Sequence, residues 1–231
     1  MASQIIYAFL GGVLPALIWL FFWLREDGKS PEPDGLILKT FLLGMLAVVL
    51  VLPFQKGIEL LLPEAVALSV LLWAFFEETF KFAAGYFGGL HSVEDNEPVD
   101  PIIYMVTAAL GFVALENTLF ILGPLLGNEI TQSIITGNLR FIGASLLHVV
   151  SSGFVGVSLA FSFYRGSRAL RVFLALVFAI IFHTGFNLLI IFYKGPGTAI
   201  AFVSVWAAVL YLLWAFERAK AIAPPNNTGY N

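Results

Sequence analysis

Apolar runs long enough to cross a bilayer recur along most of this chain, and that repetition constrains its fold more than any single motif does. A helix that crosses the hydrocarbon takes about 20 residues. Runs of that length lie at Ile5 to Leu24, Leu36 to about Phe54, Ala65 to about Gly89, Pro101 to about Leu126, about Leu139 to Tyr164, Arg171 to Tyr193 and about Thr198 to Phe216. Lipid offers the backbone no hydrogen-bond partner, so spanning segments are helices or closed barrels, and the ten-residue alternation of a barrel is absent. The expected fold is therefore all-α, a polytopic transmembrane helical bundle of about seven spans. Residues 1–231 read as a single integral membrane domain with a polar C-terminal tail at 217–231. A chain that is 59% hydrophobic and 12% charged is not an ordinary water-soluble globule. With no cysteine, disulfides, thiolate catalysis and zinc–thiolate sites are excluded. A net charge of −3 leaves no basic surface for nucleic acid.

The breaks between runs carry the topology. No basic residue precedes the first run and no small-residue cleavage site follows it, so it reads as a retained helix and not a signal peptide. Gln55 to Glu64, broken by Pro63, reads as an interfacial turn, Gly127 to Asn138 as a polar loop, and Lys194 to Gly197 as a glycine–proline turn. Arg25, Lys29, Arg165, Arg168, Arg171, Arg218 and Lys220 fall on one side. The other side holds chiefly Lys56 and Lys194, with Arg140 just inside its helix. The positive-inside rule then places the N-terminus outside and the C-terminus in the cytoplasm, with a prokaryotic cytoplasmic membrane as the expected bilayer.

Six ionisable residues interrupt the apolar runs: Glu77, Glu78 and Lys81 in the third, Glu116 in the fourth, His148 in the fifth and His183 in the sixth. A charge at mid-bilayer costs roughly 2.5 to 3.5 kcal/mol on insertion scales, which makes each a functional candidate. At 1.5 Å per residue, Glu77, Glu116, His148 and His183 all fall roughly 16 to 22 Å from the same membrane boundary. The small-residue faces Ala144, His148, Ser152, Gly156, Ala160 and Ala175, Ala179, His183, Asn187 turn both histidines into the bundle. Glu77 stands four residues before Lys81 and Glu78 three, so Lys81 can neutralise one glutamate while the other stays available. Taken singly, a buried histidine is usually a satisfied core residue, and Glu116 with Asn117 would serve as a helix–helix clamp. Four helices sharing one depth argue for a polar layer with a common purpose.

Glu77-Glu78-Thr-Phe-Lys81, Phe112-Val-Ala-Leu-Glu116-Asn117, His148 and His183-Thr-Gly-Phe-Asn187 resemble, in order and spacing, the PrsW-type intramembrane proteases. These are relatives of the CAAX prenyl endopeptidase and bacteriocin-processing group. The resemblance covers about residues 73 to 190 and implies a catalytic core at about 65–193. It implies hydrolysis of peptide bonds in membrane-anchored substrates, such as single-span anti-sigma factors. Peptide hydrolysis needs a base for water, an oxyanion donor and an acid for the leaving amine. On the resemblance, Glu77 is the general base, Glu78 and Lys81 set its charge and orientation, His148 assists, and His183 and Asn187 donate to the oxyanion. The residues alone do not choose between Glu77 and Glu78. The family is often described as metalloproteases, and Glu116, His148 and His183 would supply oxygen and nitrogen ligands to zinc with one position open. The same residues also suffice for a metal-free glutamate mechanism, towards which the absence of an HExxH helix inclines the reading. The rival from another class is a proton-coupled transporter or channel using the same groups as a relay, which predicts two repeated halves that the sequence lacks.

Overall fold

The computed structural model describes residues 1–27, 30–165 and 168–224. Lys29, part of the loop between Arg165 and Arg171, and the tail beyond residue 224 lie outside them. The described residues form helices and no strand. In chain order these are α1 (Ala2–Glu26), α2 (Asp34–Leu61), α3 (Val66–Gly85), α4 (Asp100–Leu126), α5 (Ile130–Leu139), α6 (Ser145–Ala160) and α7 (Arg168–Ala219). Wider π turns follow α3 at Tyr86–Leu90 and join α5 to α6 at Arg140–Ala144.

α4 is the axis of the bundle. Every residue from Asp100 to Ala114 is buried, because α1, α2 and α6 pack around it. The crossing with α2 is backbone on backbone: a methyl at Gly44 would run into the Ala108 carbonyl, and one at Gly111 into that of Phe41. α6 lies between α4 and α7, and α3 packs against both α2 and α7. The outward faces carry exposed Phe21, Leu38, Phe178 and Val203, a surface that only lipid tolerates over such an extent. This is an integral membrane protein.

Three boundaries differ from the sequence reading. α2 continues through Gln55 to Leu61 where a turn is expected, since helical hydrogen bonding outlasts the apolar run. The expected polar loop before residue 138 holds α5, whose Ile130 and Ile134 face outward while Ser133 is buried; with α6 it forms one span, Ile130–Ala160. The sixth and seventh runs form the single helical element α7, which nevertheless folds back on itself. The rings of Phe186 and Phe202 lie 6.3 Å apart, whereas a straight helix would separate these positions by about 24 Å. Phe154 of α6 touches Phe178 and Phe182 on one arm and Tyr211 on the other. The fold-back needs Gly197, because a methyl there would sit 2.5 Å from Tyr193 Cβ.

Among the described residues, six segments are long and apolar enough to cross a membrane. The seventh expected span, α3, is not among them, because it carries Glu77, Glu78 and Lys81. It still runs from one end of the bundle to the other: Trp73 bonds the carbonyl of Gln55 late in α2, and Gly88, just beyond α3, packs on Thr40 early in α2. Segment ends gather at two faces. Lys220 meets Glu26 at 3.7 Å and Arg168 meets Asp95 at 3.6 Å on one, while Gln4 reaches the Leu125 carbonyl at 2.6 Å on the other.

Candidate active site

Glu77 and Glu78 are neighbours on α3, about 100° apart around the helix, and that rotation gives them different surroundings. Glu78 faces α6 and α7. Its Oε1 accepts hydrogens from Lys81 Nζ at 2.6 Å, His183 Nδ1 at 2.7 Å and Ser151 Oγ at 2.8 Å. Glu77 faces α2 and a cavity. Gln55 Nε2 donates to its Oε1 at 2.7 Å, and its Oε2 is buried with no hydrogen-bond partner. Lys81 thus pairs with the glutamate three residues away, not with the one at four, and leaves Glu77 without a cation in contact.

Lys81 is fully buried, and its ammonium also donates to His148 Nδ1 at 2.9 Å. That donation fixes the tautomer of His148: Nδ1 accepts, so Nε2 carries the hydrogen and donates to Glu116 Oε2 at 3.1 Å. Glu116 is gripped by the Arg140 guanidinium, which also donates through Nε to Asn117 Oδ1 at 2.6 Å and stacks on Phe120. In a regular helix Arg140, eight residues before His148, would point about 80° away from it. The π turn absorbs one residue and brings both side chains to the same carboxylate. His183 closes the network. Its Nδ1 donates to Glu78, so in the neutral ring Nε2 is an acceptor, 3.6 Å from Glu77 Oε2.

The structure therefore brings Glu77, Glu78, Lys81, Glu116, His148 and His183 into one contiguous layer. Asn187, half-buried and one turn beyond His183, lines the same cavity of about 790 Å³. Glu77, Glu116, Arg140 and both histidines line its polar floor, and Val51, Leu52, Phe112, Leu119 and Phe202 contribute to its apolar walls. Gln55, Arg140 and Ser151 are the members the sequence reading does not single out for the site. Ser151 lies one turn from His148, beside Ser152 of the small-residue face, and that spacing is its signal. Gln55 falls where the apolar run has ended, and Arg140 reads as an end-of-helix charge.

One donor atom each from Glu77, His148 and His183 lie within 4.8 Å of one another, so the chemistry of the donor set fits a divalent metal. The expected set differs in having Glu116 in place of Glu77; the Glu116 carboxylate is paired with Arg140. As the network stands, Glu77 Oε2 and His183 Nε2 have free lone pairs, while both nitrogens of His148 are engaged.

Hydrolytic chemistry inside a bilayer requires acids and imidazoles kept polar by one another beside a space an apolar polypeptide can enter, and this layer with its cavity meets that description of an intramembrane peptidase. The sequence agrees: residues 32–215 match the family model described as PrsW family intramembrane metalloprotease, and the chain belongs to that family. It is 25% identical over 217 residues to Protease PrsW of Halalkalibacterium halodurans, covering 90% of this chain and 93% of the relative. Protease PrsW of Geobacillus kaustophilus is 29% identical over 162 residues, 69% of this chain and 67% of the relative. The Bacillus subtilis protein of the same name is 31% identical over 117 residues, 48% of this chain and 52% of the relative. No solved structure matches the chain. Family membership selects the peptidase over the transporter, and with it a membrane-anchored protein substrate.

Proposed function

We propose that the chain cleaves membrane-anchored proteins by activating a water between Glu77 and His183. The observation that carries this reading is the pair of unsatisfied acceptors, Glu77 Oε2 and His183 Nε2, facing each other at 3.6 Å on the floor of the cavity. A water donating one hydrogen to each is oriented with its lone pair toward the cavity. Glu77, anchored through Oε1 by Gln55, takes the proton as the oxygen attacks the scissile carbonyl. Glu78 is saturated on Oε1 by Lys81, His183 and Ser151, which supports its role as the group that orients His183 and not as the base. Asn187 supplies an amide donor for the oxyanion, His183 Nε2 holds the remaining hydrogen of the attacking oxygen, and the proton taken by Glu77 passes to the leaving amine nitrogen as the C–N bond breaks. His148, held by Lys81 and Glu116, fixes the wall beside this water. A divalent metal bound by Glu77, His148 and His183 would lower the pKa of the water and polarise the carbonyl.

The apolar cavity walls favour an unwound stretch of a transmembrane segment as the cleaved part. A single-span regulator such as an anti-sigma factor is a substrate of that form. The bias of Lys and Arg toward the face of Arg25, Arg165, Arg168 and Arg218 supports a cytoplasmic C-terminus and an external N-terminus.

Glu77→Gln tests the reading. The amide fills the same space and still accepts from Gln55 but takes no proton from water, so cleavage of a single-span substrate by purified protein should disappear. Normal cleavage would remove Glu77 as the base.

A further inference from the structure

At the bundle face opposite the α7 fold-back, the links that precede α2 and α4 enclose a second cavity, of about 270 Å³. Glu32, Glu94, Glu97 and Asp100 line it together with Ser30 and Asn96, and none of the described lining residues is basic. Asp100 is 1% exposed. Its Oδ2 accepts the backbone N–H groups of Asn96 at 2.8 Å and Glu97 at 2.6 Å, while its Oδ1 is buried with no partner. Glu32, also buried, lies against Asp100 and accepts the Tyr104 hydroxyl. Behind them Asp27 has its Oδ2 buried and unpartnered.

Hydrogen bonds donated to a carboxyl favour its ionised form, and both Glu32 and Asp100 receive them. The two adjacent buried carboxyls press one another, and a cation in the pocket would take the place of the proton that otherwise neutralises Glu32, because an uncompensated buried charge is expensive. Among the described residues, the cations with ion pairs on this face are engaged elsewhere: Arg168 reaches Asp95, and Lys220 is shared between Glu26 and Glu217. Burial and the neighbouring acids push the Glu32 carboxyl up to about 8 and that of Asp27 up to about 7.

We propose that this pocket binds a hard divalent cation of the calcium or magnesium type, held between the α1–α2 and α3–α4 links by Glu32 and Asp100. Oxygen donors alone, with water completing the shell, suit those ions, and the described lining residues include no imidazole or thiolate to favour zinc. Asp100 Oδ1, fixed in direction by the two amides on Oδ2, is the ligand set in advance. The bound ion would clasp the starts of α2 and α4. The site uses none of the groups of the acid–histidine layer and does not depend on proteolysis.

The experiment titrates chelator-treated, purified full-length protein with calcium chloride and, separately, magnesium chloride at about pH 7.5 while following the thermal midpoint. The midpoint should rise with the logarithm of concentration for at least one ion, equally in the wild type and in Glu77→Gln. Asp100→Asn and Glu32→Gln each keep an acceptor for their donors but remove a ligand charge, and should weaken the apparent affinity at least about tenfold. Glu97→Gln, at the rim, provides the same comparison in a variant that leaves the buried pair intact, with a smaller loss expected. No response of the wild type up to about 10 mM of either ion, above the weakest protein calcium sites, would overturn the proposal. So would undiminished affinity in all three variants. A wild type stabilised only by acidification from about pH 8 to 6, with no response to cation, would assign the neutralisation to protons and overturn it as well.

Discussion

Lys81→Met perturbs the most deeply buried charge in the protein and tests how the layer is held. The Lys81 side chain is 0% exposed, its ammonium lies 2.6 Å from Glu78 Oε1 and 2.9 Å from His148 Nδ1, and it sits over the Phe112 ring at 5.3 Å. Methionine fills nearly the same volume without the charge, so the cavity contribution is small and the electrostatic one dominates. Glu78 keeps the hydrogens from His183 and Ser151 but loses the one lysine or arginine in contact with it among the described residues. Removing one partner of a buried pair costs about 3 to 5 kcal/mol. At about 2 to 4 °C per kcal/mol for a chain of this length, the midpoint should fall by roughly 6 to 20 °C. Thermal unfolding in detergent, followed by fluorescence of the five tryptophans, measures it. The control is Glu78→Gln with Lys81→Met, which strands no charge and should recover much of the lost stability while remaining inactive. A loss below about 1 kcal/mol in the single variant would refute the pair as a structural element of the layer. A double variant no better than the single would refute the stranded charge as the cause.

Two further outcomes follow from the site. Elemental analysis of active protein should find about one equivalent of divalent metal if Glu77, His148 and His183 bind one, with the metal lost in His183→Ala and kept in Glu116→Gln; full activity in metal-free protein would leave the glutamate mechanism alone standing. Asn187→Ala should lower kcat by about 10² to 10³ with little change in KM or in the thermal midpoint, as for a lost oxyanion donor, whereas a midpoint loss with normal kcat would make Asn187 a packing residue.

The helical bundle and the residues of its polar layer are legible in the sequence because charge in hydrocarbon is expensive and therefore conspicuous. Depth along a helix follows from counting, and it correctly groups Glu77, Glu116, His148 and His183. Rotation about each helix does not follow so easily. Arg140 reaches Glu116 through a π turn, which no hydropathy pattern marks. Gln55 sits in a stretch whose polarity reads as a turn, yet the backbone stays helical and aims the amide at Glu77. The difference between Glu77 and Glu78 comes from other helices: Ser151 and His183 donate to one of them, and Gln55 to the other. The same cause hides the pairing of Arg140 with Glu116, which only the fold reveals.

The charge balance of the layer explains why its base is left exposed to chemistry, and it makes a prediction against intuition. Glu77, Glu78 and Glu116 carry three negative charges and Lys81 and Arg140 two positive ones, with both cations bound to the other two carboxylates. The surplus negative charge falls on Glu77, whose free oxygen faces the lone pair of His183. The excess charge is relieved when Glu77 receives a proton, so the step that activates water also neutralises the layer. Glu77→Gln reproduces that relief permanently, because its amide donates where the carboxylate only accepts. A buried carboxylate with no cation in contact costs at least about 1 to 3 kcal/mol more than a neutral amide in its place, and the variant should gain about that amount, or roughly 2 to 12 °C in thermal midpoint, when compared with metal-free wild type. Glu78→Gln should shift the midpoint the other way, since it strands Lys81. Trading stability for function at a catalytic group is common, but here the sign is set by which carboxylate lacks a cation. If both glutamine variants lower the midpoint, Glu77 is neutralised in the resting protein by a partner other than the proton it is proposed to receive.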